Sequence, residues 1–454
     1  MNKILIAILL FCTINLFSQN KNFQYLKIKI ENYNFENTYL SIRTGEDYKS
    51  SGVFKINMDG YYYIKLNDSI KEGVYYLGAT PNEYTISFLI DPAEGSRNFI
   101  FDYQSEDKFI STNSPSNLIY NDYLKKISFY KYKWNEPDIK LKDSVIITRN
   151  KIRNLFLKKP LNKLTDLLIK SEIEWKDTVN PNINRQVLND LITQNRINHF
   201  IDNIEVGNDI SLHLPQVYNI INEYFERGLH VNHKLVIPKL DSLFLTMGFD
   251  SEMFKYYLPK FEKKYSFTFQ PWVDTVYSHI AKKYYNKELC PWMDSVEIER
   301  VNLEAIKKES TLIGKPMPEI TLFNEDGKSV NLSDINAKFI VLDFWRPGCG
   351  HCTDAMPLIE SAAEKLKDKG VVVVAMCTRQ GTDAKMCYDY FADKKHDYLL
   401  YNLADPKGNA NLLTKFNITG VPMIYIVDEN KTIVDKKVAP SMLYYRLIEL
   451  LENK

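Results

Sequence analysis

The spacing of apolar residues changes along the chain and divides it into regions. Near the N-terminus, Leu26 and Ile28 alternate with lysines, which is the two-residue period of a half-buried strand. The dipeptide Asp59-Gly60 separates two further apolar segments and predicts a β-hairpin. Short strands separated by turns in this way predict an antiparallel β-sandwich-like domain over residues 19–110.

From residue 111 to 311 the apolar spacing becomes helical. Val273, Tyr277, Ile280 and Tyr284 recur at intervals of three and four residues, which is typical of one helix face. Core packing is favoured for this face over a peptide-binding groove, the alternative function of such aromatic residues. We interpret the region as an irregular helical domain that spaces or orients the two ends of the chain.

The last region, 312–454, is organised around one apolar segment. Residues 339–345 are apolar except for Asp343, and Cys-Gly-His-Cys follows at 349–352. A short apolar segment bounded by Pro and Gly predicts a buried strand of a parallel sheet. The residues that follow the cysteines have helical spacing on one apolar face, which comprises Met356, Ile359, Ala363 and Leu366.

The two cysteines therefore fall at a strand-to-helix junction, where free backbone N–H groups and the helix dipole favour an anion. A thiolate is an anion and is the reactive form of cysteine. We expect Cys349 to attack disulfides, and Cys352, one turn further on, to resolve the mixed disulfide. A zinc knuckle would need a second closely spaced ligand pair, and none follows in the sequence.

Two ionisable residues accompany the cysteine pair. A protonated His351 would stabilise the thiolate of Cys349 and make the disulfide a better oxidant, and the alternative is a solvated residue at the helix start. Asp343 is expected to be buried with a raised pKa. We assign it as the proton acceptor for Cys352, and the alternative is a structural acid held by a hydrogen bond.

The region from Ile313 onward resembles the thioredoxin-like thiol–disulfide interchange proteins of the TlpA/ResA type. The resemblance rests on Asp343, six residues before Cys349, and on further motifs in the expected order, which are Gly314-Lys-Pro-Met-Pro, Asp326-Gly-Lys-Ser-Val-Asn-Leu-Ser-Asp334, Pro357 and Gly420-Val-Pro422. Gly348 replaces the tryptophan that usually precedes the first cysteine, and Ala355 stands where an acid is common.

The resemblance implies an α/β thioredoxin fold in a multidomain α+β chain. It also implies that Pro422 is cis, packs against the cysteine pair and leaves the backbone of Val421 free to pair with substrate. Trp345 and Gly350 are further candidate substrate-binding residues.

Composition limits the class of partner. The chain has 454 residues, 58 Lys+Arg against 57 Asp+Glu, and 45% hydrophobic residues. This length predicts two or three domains, and the balanced charge gives no case for nucleic-acid binding. No cofactor and no metal site are predicted.

The first 18 residues have a basic start and an apolar core, which predict a secretory signal peptide and a location in the periplasm or cell envelope. A lipid anchor at Cys12 is disfavoured because Phe11 precedes it where a small residue is needed. Cys290 is expected to be a buried thiol. Whether Cys377 and Cys387 pair is left open by the sequence.

These features predict an exported thiol–disulfide oxidoreductase that exchanges disulfides with cysteine-containing exported proteins, with a membrane-bound thiol reductant as a candidate partner. One alternative is a thiol peroxidase on the same scaffold, although the segment before Cys349 lacks the threonine such enzymes need. The other is a non-catalytic binding or scaffolding protein of the envelope.

Overall fold

A computed structural model describes residues 24–131, 139–172, 187, 198–228, 233–267, 270–393, 398 and 400–453. The chain divides into two compact units, Met1–Tyr256 and Tyr257–Lys454. The boundaries expected at 110/111 and 311/312 stay predictions, and the expected signal peptide lies outside the described residues. No helix in the described ranges is long and apolar enough to cross a bilayer.

The first unit contains two four-stranded sheets that share one apolar core. One sheet has the order β4-β1-β7-β8 and the other β3-β2-β5-β6. Apart from the parallel pair β1 and β7, neighbouring strands are antiparallel, so the sandwich form is confirmed. The strands are β1 (Tyr25–Glu31), β2 (Asn37–Thr44), β3 (Asp47–Lys55), β4 (Tyr62–Lys65), β5 (Gly73–Gly78), β6 (Ile86–Ile90), β7 (Arg97–Asp102) and β8 (Phe109–Thr112).

The hairpin predicted at Asp59-Gly60 is wrong in its pairing. The turn exists, with Gly60 at a φ of 78°, a conformation that glycine adopts without steric cost. However, β3 pairs with β2, whereas β4 pairs with β1 in the other sheet. The turn therefore carries the chain from one sheet to the other, because both flanking segments contribute apolar side chains to the shared core.

Helices follow the sandwich. Asn117, in the first of them, accepts a hydrogen bond from the main-chain N–H of Leu89 and donates one to its carbonyl, both 2.8 Å long, which ties the helix to β6. The helices of this part of the described chain are α1 (Pro115–Lys131), α2 (Ile139–Phe156), α3 (Lys163–Ser171), α4 (Pro215–Glu223), α5 (Val236–Met247) and α6 (Glu252–Phe267), the last of which continues into the second unit.

The second unit contains a seven-stranded sheet of order β10-β9-β13-β12-β11-β14-β15. Its central strands β11, β12 and β13 are parallel, and β14 is antiparallel to β11, as the thioredoxin-like prediction requires. The strands are β9 (Thr321–Phe323), β10 (Ser329–Asn331), β11 (Phe339–Trp345), β12 (Val371–Gln380), β13 (Leu400–Asp405), β14 (Met423–Asp428) and β15 (Ile433–Lys436).

The predicted helix faces of this unit are confirmed. Val273, Tyr277, Ile280 and Tyr284 are buried, and so are the four apolar residues that follow the cysteine pair. The helices are α7 (Val273–Tyr284), α8 (Ser295–Glu309), α9 (Gly350–Lys365), α10 (Lys385–Phe391), α11 (Leu412–Lys415) and α12 (Leu443–Glu452). Helices α9 and α12 share an apolar cluster with strands β11, β12 and β14.

A buried charge cluster joins α7 and α8 to the edge strand β15. Asp274 Oδ2 lies 2.6 Å from Lys436 Nζ, and its Oδ1 lies 3.2 Å from Lys437 Nζ and 3.4 Å from Lys308 Nζ. Burial alone would raise the pKa of Asp274, but the ammonium groups of Lys436 and Lys437 outweigh it and lower that pKa. Burial lowers the pKa of Lys436, which has no exposed surface. Asp274 therefore compensates the charge of all three lysines, of which Lys308 also lies 3.5 Å from Glu304 Oε1.

Candidate active site

The cysteine pair lies where β11 passes into α9. Strand β11 ends at Trp345, and Gly348 takes a φ of 78°, which turns the chain toward the helix at a position that favours glycine. Cys349 is the N-cap residue of α9, and its carbonyl accepts a hydrogen bond from the N–H of Thr353 at 3.0 Å. The predicted strand-to-helix junction is confirmed.

A second segment, 72 residues further along the chain, reaches the same place. The Val421–Pro422 peptide bond is cis, as predicted. Cys349 Sγ donates a hydrogen bond of 3.7 Å to the carbonyl oxygen of Val421. The loop therefore contacts the first cysteine directly, and Val421 is only partly buried.

The two thiols have opposite environments. Cys349 is partly exposed, whereas Cys352 is 1% exposed. A hydrogen bond from the Cys352 thiol, with help from the N–H groups of Cys352 and His351 and the charge of Arg346, lowers the pKa of Cys349. Burial, followed by the sulfur of Cys349 and the charge of Asp343, raises the pKa of Cys352. The accessible sulfur therefore ionises more readily than the buried one, and its role as the attacking thiol stays a prediction.

Asp343 lies in β11, close enough for its charge to affect the pKa of Cys352. It is 1% exposed, and among the described residues neither carboxylate oxygen has a hydrogen-bond partner. Burial raises its pKa to about 7, because a buried carboxylate loses its hydration. The structure therefore offers no hydrogen bond to support the alternative of a structural acid. The group is poised to gain or lose a proton near neutral pH.

Three aromatic side chains pack together next to the cysteine pair. The ring of Trp345 packs against Tyr390 and Phe391, with centroids 4.9 and 5.4 Å away. Trp345 is 1% exposed, and Cys349 packs against the apolar cluster to which it belongs. Its ring is therefore not part of the surface that a client would contact. Its role in substrate binding stays a prediction.

Cys377 and Cys387 form a disulfide, with Cα atoms 6.2 Å apart, which answers the question that the sequence left open. Both belong to one apolar cluster at the base of the site, which we call the sulfur cluster. Its buried members are Trp345, Cys352, Met356, Ala375, Cys377, Ala384, Cys387, Phe391 and Ala404. Cys290 lies outside this cluster and is a buried thiol, as predicted. Its Sγ donates a hydrogen bond of 3.4 Å to the carbonyl oxygen of Tyr284.

Gly350 and His351 are exposed in the first turn of α9. The N–H of His351 lowers the pKa of Cys349, whereas the role expected of its imidazole stays a prediction. Arg346 was missed by the reasoning from sequence, although a cation between a buried strand and a cysteine pair is a usable signal. Among the described residues no group of three or more His, Cys, Asp or Glu side chains could hold a metal ion.

A mixed sheet with parallel central strands, a Cys-x-x-Cys pair at a helix N-terminus, a buried acid and a cis-proline loop together define a thioredoxin-like thiol–disulfide protein. The Redoxin family model matches residues 312–442. Thioredoxin-like protein YneN of Bacillus subtilis is 32% identical over 123 residues, which cover 27% of this chain and 69% of that protein. The chain belongs to the thioredoxin-like family, of TlpA/ResA type, and is an enzyme of the thiol–disulfide oxidoreductase class.

Two further proteins are similar to part of this chain. Thiol-disulfide oxidoreductase ResA of Bacillus cereus is 27% identical over 129 residues, 28% of this chain and 71% of that protein. The solution structure of a thiol:disulfide interchange protein from Bacteroides sp. is 26% identical, with a TM-score of 0.29, and the match covers 32% of this chain and 92% of that one.

Proposed function

We propose that this protein is an exported oxidoreductase that exchanges disulfides with cysteine-containing proteins of the periplasm or cell envelope. The observation that carries the proposal is the asymmetry of the pair, since Cys349 is accessible with a lowered pKa and Cys352 is buried with a raised one. The apolar segment after Lys3 supports export.

The reaction starts when the thiolate of Cys349 attacks a client disulfide, forming a mixed disulfide and releasing one client thiolate. The thiol of Cys352 then loses its proton, for which Asp343 is the predicted acceptor, and its sulfur attacks Cys349. The client leaves with both its sulfurs reduced, and the Cys349–Cys352 disulfide remains. The reverse sequence oxidises a client dithiol, so the reduction potential relative to the client decides the direction.

Substrate pairing is proposed at the loop that carries Val421. The loop contacts Cys349 through the Val421 carbonyl, so a client chain laid along it would bring its sulfur to the thiolate. Main-chain hydrogen bonds of this kind recognise an extended segment with little dependence on its side chains. Together with the exposed Gly350, the loop defines a surface suited to many clients.

Trapping of clients tests this proposal. The Cys352→Ala variant cannot resolve the mixed disulfide, so it should accumulate covalent adducts with envelope proteins through Cys349. Adducts are separated on non-reducing gels and identified after reduction. The Cys349→Ala/Cys352→Ala variant should form none, and Cys290→Ala, which removes a buried thiol elsewhere, should match the wild type. A Cys352→Ala variant without adducts would favour the non-catalytic alternative.

A further inference from the structure

The strand register places the second disulfide on the same face of the sheet as the active site. In the parallel pair of β11 and β12, Asp343 lies opposite Ala375 and Trp345 opposite Cys377. Side chains two residues apart in a strand share a face, so these four residues point to the same side. Helix α9 covers that side, because its buried Cys352 belongs to the sulfur cluster together with Cys377 and Cys387.

Burial isolates the second disulfide from outside reagents. Cys377 and Cys387 have no exposed surface, and Cys352 is 1% exposed. Cys349, which is partly exposed, packs against the same cluster. Since thiol–disulfide exchange depends on access to the sulfur, an external thiol cannot reach the second disulfide in the closed structure, whereas the thiols of the active site already share its cluster.

The surroundings of the second disulfide also favour one sulfur as leaving group. The N–H of Arg379 donates a hydrogen bond of 3.3 Å to Cys377 Sγ. A donor at this position stabilises negative charge on the sulfur, and a better-stabilised thiolate leaves faster. Attack is therefore expected at Cys387, with Cys377 as the group that departs.

We propose that Cys377–Cys387 is a second thiol–disulfide centre, which exchanges electrons with the Cys349–Cys352 pair inside the protein. The inference rests on the proposed function, because the active-site dithiol supplies the electrons. The fully reduced protein would then contain two dithiols. The Cys377/Cys387 pair could hold two electrons while the Cys349/Cys352 pair reacts with another partner.

The exchange proceeds in two balanced steps. The thiolate of Cys352, whose proton has passed to Asp343, attacks Cys387 Sγ; a Cys352–Cys387 bond forms and Cys377 leaves as a thiolate. The thiolate of Cys349 then attacks Cys352 Sγ, which forms the Cys349–Cys352 disulfide and releases Cys387 as a thiolate. The two protons lost by the first pair are taken up by the second, so one dithiol is oxidised and one disulfide reduced.

The intermediate gives the sharpest test. In a Cys349→Ala variant the second step cannot occur, so the Cys352–Cys387 bond should accumulate at neutral pH in the full-length protein. Acid quenching, blocking of free thiols and tryptic digestion follow, and cleavage after Arg379 and Lys385 puts Cys377 and Cys387 on separate peptides. Mass spectrometry should then detect the cross-link between the peptides of Cys352 and Cys387. Absence of this cross-link would contradict the proposed route.

A rate measurement tests the exchange without relying on the intermediate. Oxidised wild-type protein and the Cys349→Ala/Cys352→Ala variant, each checked for native thermal unfolding, are treated with dithiothreitol and sampled over time. Reduction of Cys377–Cys387 should be at least about tenfold slower in the variant, because the reductant must then wait for local opening. Cys290→Ala is the matched control and should reduce like the wild type.

Equal rates in the wild type and the double variant would overturn the inference, as would a second disulfide that stays intact while Cys349–Cys352 is fully reduced. Either result leaves the proposed function standing if Cys352→Ala still traps clients. Loss of client trapping together with intact internal exchange would instead refute the proposed function and keep the second centre.

Discussion

Replacing Asp343 with asparagine should stabilise the protein, and should do so only where the carboxyl would otherwise ionise. The side chain is 1% exposed and has no hydrogen-bond partner among the described residues. Burial raises its pKa from the ordinary value of 3.8 to about 7. In the unfolded chain the group is hydrated again, and its pKa returns to the ordinary value.

The size of the effect follows from this difference in pKa. One pKa unit corresponds to about 1.4 kcal/mol, so a change from 3.8 to about 7 amounts to a destabilisation on the order of 4 kcal/mol. Between these two pKa values the folded protein holds a proton that the unfolded chain has lost, so stability falls as the pH rises through this window. Above pH of about 7 the full loss is present, and below about 4 there is none.

Asp343→Asn removes this loss because an amide does not ionise. Urea unfolding of the oxidised protein at pH 5 and pH 9 should show a gain in unfolding free energy that is about 3 kcal/mol larger at pH 9. The comparison of two pH values cancels the pH-independent cost of burying an amide. Asp354→Asn, which changes an exposed acid in α9, is the control and should show no such dependence.

An equal gain in unfolding free energy at both pH values would mean that Asp343 does not ionise in this range. No gain at either pH would mean that the folded protein holds the ionised carboxylate without a loss of stability.

The same variant also tests the chemical role of Asp343. If Asp343 takes the proton from Cys352, Asp343→Asn should slow release of the mixed disulfide much more than the attack by Cys349. Stopped-flow reduction of a disulfide-linked fluorescent peptide resolves the two steps, and equal effects on both would leave Asp343 a structural residue.

Two further substitutions test the electrostatics of this unit. Arg346→Gln should raise the pKa of Cys349 and shift the pH profile of its alkylation upward by less than about one unit, since the cation is solvated. A profile that moves only in His351→Gln would mean that the imidazole, and not Arg346, lowers the pKa of Cys349. Asp274→Ala should destabilise the protein by about 3–5 kcal/mol, because it removes the carboxylate 2.6 Å from the fully buried Lys436. Urea unfolding measures this, with the exposed Glu299→Ala as control; equal stabilities would contradict it.

Local sequence patterns were sufficient for the elements around the cysteine pair. The apolar segment before Cys349 and the helical spacing after it specify a strand and a helix through contacts between near neighbours. The position of Asp343 in that strand predicted its burial, and the motif around Pro422 predicted the cis bond through the family resemblance. Each of these features depends on residues close together in the chain or on a recognisable motif.

Features that depend on distant residues were not accessible in this way. Asp274 and Lys436 are separated by more than a hundred residues, and neither stands in a pattern that indicates a buried ion pair. The pairing of β4 with β1 was missed because a turn signal gives the direction change and not the partner strand. Pairing of Cys377 with Cys387 likewise requires the distance between their Cα atoms, which spacing alone does not supply.

The different environments of the two thiols give the two half-reactions different sensitivities to pH. Because the pKa of Cys349 is lowered, its thiolate persists to a lower pH than the thiolate of an ordinary cysteine. Cys352 has a raised pKa, and if Asp343 accepts its proton as predicted, that acceptor is itself protonated below pH of about 7. With Asp343 in that role, acidification is expected to slow resolution more than attack, so the lifetime of the mixed disulfide would depend on the buried pair and not on the partly exposed Cys349.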